Sequence, residues 1–108
     1  MIRDIRGFKI YNSRAEPTIL VRVYTDYGIF SGSAPSGKSR SNYEAHTIPI
    51  GKSLELLDRI KHNFIGLNER DFDVMDEMVV EMAGENFKKL GAHLGFAFTS
   101  ALLKASIR

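Results

Sequence analysis

The segment from Leu90 to Ile107 constrains this chain most, because it is apolar nearly all round and rich in Gly, Ala and Ser. A helix with no polar face has to be buried on several sides, and small residues let its neighbours approach closely. In a chain of 108 residues, one such helix claims the centre of the fold. The remaining segments must supply what covers it.

The first thirty-odd residues read as a three-stranded antiparallel meander. Ile2, Phe8 and Ile10 share a parity within Ile2 to Tyr11, and Thr18 to Thr25 (TILVRVYT) is β-branched and largely apolar, as a strand requires. NSRAEP joins this pair, with Pro17 restricting Glu16 to an extended geometry. Asp26-Tyr27-Gly28 supplies the turn into a third strand, Ile29 to Ser33. From Ala34 to Ile50 the chain has two Pro, three Ser and no sustained apolar period, so it reads as a long loop, and loops of that length are usually functional.

Two amphipathic helices follow. Leu54, Leu57, Ile60, Lys61 and Phe64 fall at helical spacing in Ser53 to Phe64, with Ser53 as the expected N-cap. Glu69 to Met82 sets Phe72, Met75, Val79 and Met82 on one face and Asp73, Asp76, Glu77 and Glu81 on a solvated one, with Ala83-Gly84 as the stop. The expected class is α+β: a meander, then a helical subdomain. The expected division is a sheet over 1–34, a lid-like loop over 35–50 and helices over 51–108.

Gly32 to Ser39 reads GSAPSGKS, a literal match to the phosphate-loop pattern. That pattern works where a buried parallel strand runs at once into a helix whose first amides meet the phosphates. Here the strand belongs to a hairpin meander, and RSNYEAHTIPI after Ser39 offers no apolar stripe to bury. The context argues for coincidence, with a nucleotide-binding protein as the last alternative.

Composition narrows the chemistry. The chain has no cysteine, which excludes disulfides, thiolate metal sites and cysteine nucleophiles and makes a reducing cytoplasm the default compartment. No stretch of about 18 apolar residues suggests a membrane span. Ten Lys/Arg against six Asp/Glu lie in residues 1–62, and seven acids against one Arg in 63–87. The cations are scattered without interleaved aromatics, so nucleic acid is not an expected partner. His46, His62 and His93 stand apart, and no pairing suggests a metal site or a nucleophilic triad.

Four segments carry a resemblance. NSRAEPT (Asn12 to Thr18), APSGKSRSNYEA (Ala34 to Ala45), IGL (Ile65 to Leu67) and KLGAH (Lys89 to His93) resemble, in order and nearly in spacing, the runs DSRGNPT, PSGASTGxxEA, IGL and KLGAN of the enolase (phosphopyruvate hydratase) N-terminal domain. The resemblance spans essentially the whole chain. It implies a glycolytic lyase context in which 2-phosphoglycerate and phosphoenolpyruvate are interconverted with Mg²⁺. In that family the catalytic groups sit on a C-terminal barrel, which has no counterpart in these residues, and the N-terminal domain caps it.

The resemblance also implies roles for individual residues. Ser36, Gly37, Lys38 and Arg40 fall in the substrate lid, and Ser39 is the expected Mg²⁺ ligand through hard oxygen donors. No residue here is expected to be catalytic, and the chain alone is expected to be inactive. Arg14 and Leu20 fall where enolase subunits meet, so a barrel in cis or in trans and a second copy are the expected partners. The departures are specific: Lys38 and Arg40 add two cations to the lid, Ser41 replaces a Gly, and Asn12, Ala15 and Glu16 replace Asp, Gly and Asn. A stand-alone binding or oligomerisation module is the competing function.

Overall fold

The structure is a computed structural model, and it describes residues 1–11, 13–34, 50–84 and 92–107. Strands β1 (Ile2–Tyr11), β2 (Pro17–Thr25) and β3 (Gly28–Ser33) form one antiparallel sheet in the order β1-β2-β3. Helices α1 (Ile50–Ile60), α2 (Phe72–Ala83) and α3 (Ala92–Ile107) follow, with a 3₁₀ turn at Lys61–Asn63. This is the expected α+β architecture.

Register decides which side chains go inside. Ile5 pairs with Val23 and Val23 with Phe30, while Gly7 pairs with Val21 and Val21 with Gly32. Ile5, Ile19, Val21 and Val23 are fully buried on this inner face. The alternate residues form the outer face: Arg6 pairs with Arg22 and Arg22 with Ser31, and Phe8 pairs with Leu20 and Leu20 with Ser33. α3 packs on β2 and β3, α1 packs chiefly on β1, and α2 packs on α3.

Glycine sets the closeness of that packing. A Cβ on Gly32 would lie 2.6 Å from the Ala101 nitrogen and 2.6 Å from the Ala97 carbonyl oxygen. The backbone of α3 therefore rests directly on β3, and Ala97, Phe98, Ala101 and Leu102 fill the interior. Phe64, at the end of the 3₁₀ turn, meets Phe98 edge to face with ring centroids 4.8 Å apart.

Three sequence expectations shift. The first helix starts at Ile50, so Ser53 lies inside it, fully buried, one turn before Leu57, and is not an N-cap. Phe64 lies beyond that helix rather than within it. The second helix starts at Phe72 rather than Glu69, because the Asn68 carboxamide oxygen accepts from the Arg70 amide at 3.0 Å and holds a turn there. Its end is as expected, with Gly84 at φ 73°.

Candidate functional site

The segment expected to carry the chemistry, 35–49, with Ser36, Gly37, Lys38, Ser39 and Arg40, lies outside the described residues. The structure does show how its ends are held. On the strand side, the Ala34 amide donates to the Ile19 carbonyl at 3.3 Å, and the buried Thr18 hydroxyl donates to the Ala34 carbonyl at 3.2 Å. On the helix side the chain re-enters at Ile50, packed against the core. A polar segment is thus fixed at both ends on the rigid scaffold, the arrangement on which binding loops are usually mounted.

The strand that precedes GSAPSGKS is antiparallel. Its first glycine, Gly32, is taken up by contact with α3, and no parallel strand exists among the described residues. The geometry before the loop is not that of a phosphate-binding turn.

The two interface expectations fall on separate features. Arg14 is exposed in the turn between β1 and β2, next to Ala15, which adopts φ 62°. That left-handed conformation favours glycine. Leu20 is half-buried on the outer sheet face between Phe8 and Ser33. Around it Arg22 stacks over the Phe8 ring at 5.0 Å and Arg6 over Tyr24 at 5.7 Å. Arg6 and Arg22, directly opposite across the strands, repel each other; Asp4 answers Arg6 at 3.0 Å.

Charge is organised at the start of β1. Burial pushes the Asp4 carboxyl upward, but hydrogen bonds from Arg6, the Ile5 amide and Lys61 outweigh it, and its pKa lies below the ordinary value. Asp26 is also lowered, first by the Arg3 side chain at 2.6 Å. Glu69 was not foreseen: the sequence suggests one more solvated acid, yet Glu69 is buried and pairs with the Met1 amino group. That contact links residues 68 apart, and no local pattern announces it. IGL also gains a structural reason, since the Ile2 amide donates to the Leu67 carbonyl and the Gly66 amide to the Ile2 carbonyl, both at 2.8 Å, with Gly66 at φ 96°.

Among the described residues no three His, Asp or Glu converge as metal ligands would, and no helix is long and apolar enough to cross a membrane. His62 is exposed, and the His93 side chain and Glu44 lie outside the described residues.

An antiparallel meander with a helical layer on one face and a polar segment leaving its third strand defines an α+β module, unlike the parallel core that a phosphate loop needs. The family described as "Enolase, N-terminal domain" matches residues 2–108, and the chain belongs to it. Similar proteins include the enolase of Methanothermobacter thermautotrophicus, 34% identical over 111 residues, and that of Methanosphaera stadtmanae, 32% identical over 111 residues. Each comparison covers 98% of this chain but 27% of the relative. The chain thus spans about a quarter of the length of these enolases.

Proposed function

We propose that this domain caps an enolase-type barrel that interconverts 2-phosphoglycerate and phosphoenolpyruvate. The observation that carries the reading is the family match over 2–108, joined to a scaffold that fixes both ends of the 35–49 segment. In this reading Ser36, Gly37, Lys38 and Arg40 form the lid, and the cations at 38 and 40 attract a phosphorylated carboxylic acid. Ser39 offers Mg²⁺ a hard oxygen donor. The described residues converge on no metal site of their own, so this reading draws the remaining ligands from the barrel and the substrate. Mg²⁺ held there would supply positive charge to the oxygen atoms of the substrate. The domain's own part is to close over the substrate and exclude water.

The test is a chimera in which this chain replaces the matched segment of the Methanothermobacter enolase. Mg²⁺-dependent dehydration of 2-phosphoglycerate is expected from the chimera, with a marked loss in Ser39→Ala, and none from the 108-residue chain alone. A folded chimera without activity, or turnover by the isolated chain, overturns the reading.

A second reading, a self-associating module, draws support from the outer sheet face, where half-buried Leu20 lies beside Phe8 and, among the described residues, the helices pack on the opposite face. Sedimentation of the isolated chain over a range of micromolar concentrations tests it. A dimer or larger assembly that Leu20→Lys dissolves supports it, and a constant monomer mass removes it.

A further inference from the structure

Cations that are scattered along the chain are gathered by the register of the sheet. On the outer face Arg6 pairs with Arg22 and Arg22 with Ser31, a row that crosses all three strands. Lys104 extends the row at the β3 edge, where its ammonium donates to the Ser31 carbonyl at 2.9 Å. Lys61 stands at the β1 side, 3.3 Å from Asp4. Asp4 is shared between Lys61 and Arg6, so one acid answers a line of four cations. They come from positions 6, 22, 61 and 104, too far apart for any local pattern to bring together.

Aromatic rings flank this line. Tyr24 lies in the neighbouring row on one side and Phe8 in the row on the other, and Arg6 and Arg22 lie over these rings at 5.7 and 5.0 Å. With Lys9 over Tyr11 at 5.6 Å, residues 6–24 hold three such contacts, where roughly one per 70–80 residues is ordinary. A ring engages the plane of a guanidinium and leaves the N–H fork, which lies in that plane, for an anion. Arg22 is exposed, and among the described residues no carboxylate pairs with it. Like charges directly opposite on a sheet are destabilising, and a phosphate between Arg6 and Arg22 turns that repulsion into two attractions.

We infer that the outer sheet face binds a single strand of nucleic acid, with phosphates along the Arg6–Arg22–Lys104 line and bases stacked at Tyr24 and Phe8. Proteins that hold unpaired strands combine these two features, cations that track the backbone and rings that accept any base. The far side of the molecule has the opposite charge. α2 packs on α3, behind the sheet, and exposes Asp73, Glu77 and Glu81, which turns a polyanion towards the sheet face. A second copy stacked by this same face about a twofold axis sets Arg6 and Arg22 against their own counterparts. The inference therefore excludes the self-associating module, and it does not depend on the capping reading.

The test is fluorescence anisotropy of a labelled oligouridylate of about ten nucleotides, titrated with the 108-residue chain. Binding is expected, with a log–log salt slope of about −2 for roughly three neutralised phosphates. Arg22→Gln should weaken it and reduce the slope by about 0.7. Arg59→Gln, the same change on the exposed side of α1 behind the sheet, should leave it as in the parent. Tyr24→Leu and Phe8→Leu, which keep apolar bulk, should each weaken binding at least about fivefold without changing the slope. Leu20→Lys separates the two uses of this face, since it should tighten the oligonucleotide by adding a cation but dissolve an assembly of copies. No binding up to about 100 µM chain, equal losses in Arg22→Gln and Arg59→Gln, or leucine variants that bind like the parent overturn the inference. An assembly of copies that excludes the oligonucleotide assigns the face to a second copy and overturns it as well.

Discussion

Replacing Gly32 with alanine tests how the sheet and the central helix are held together. The backbone at Gly32 is ordinary strand conformation, so alanine brings no torsional strain, and the whole effect is steric. Its Cβ would stand 2.6 Å from two backbone atoms of α3 and 2.8 Å from Ser100 Cβ, where ordinary contact begins at 3.4 Å. The helix has to retreat by about 0.8 Å, and a gap of that size forfeits roughly a quarter to a half of each dispersion contact along the interface. Overpacking of this kind costs about 1–3 kcal/mol, and with backbone on both sides the upper end applies. An unfolding entropy of roughly 2.1 cal/mol/K per residue converts about 3 kcal/mol into a fall of about 13 °C in Tm. Gly7→Ala is the matched control. Its Cβ would meet Leu57 and Leu54 methyl groups at 2.7 and 2.8 Å, and these rotate away. The lower unfolded-state entropy of alanine offsets part of that smaller cost, so a fall of no more than about 4 °C is expected. Thermal unfolding followed by circular dichroism measures both. Equal shifts for the two variants, or a Gly32→Ala shift below about 4 °C, would refute the close backbone approach.

Ala15→Gly should raise stability by about 0.5–1 kcal/mol, since a left-handed residue with a Cβ costs about 1–2 kcal/mol and the added freedom of glycine when unfolded returns part of that gain; denaturant unfolding with an unchanged slope checks it. Phe98→Ala should lose about 3–5 kcal/mol, because a fully buried ring and its edge contact with Phe64 both disappear, and chemical denaturation reads the loss. Asp4 and Asp26 have folded pKa values below the ordinary 3.8. Their contribution is therefore complete above that pH and is lost as pH falls through the lowered folded values. Unfolding measured from pH 5 down to pH 2 should show Asp4→Asn and Asp26→Asn less stable than the parent at the upper end and converging with it at the lower.

Much of the fold is written in local patterns. The β-branched run at Thr18 to Thr25, the turn at Asp26 to Gly28 and the helical stripes around Leu57 and Met75 each depend on residues within a few positions of one another, so alternation and 3.6-residue spacing reveal them. The family motifs were legible for the same reason. What sequence left open depends on which distant segments meet. Ser53 looks like a cap until the stripe is seen to begin at Ile50 and to point Ser53 at the core. Glu69 looks solvated until the chain places it against residue 1. GSAPSGKS is set apart from a phosphate loop by its sequence context, but only the structure shows its first glycine, Gly32, beneath the backbone of α3. The all-round apolar character of α3 called for burial on several sides, but only its docking on the sheet decided which side the domain fills. Local sequence sets the propensity and face of an element, whereas the partner of each face is chosen by packing between segments far apart in the chain.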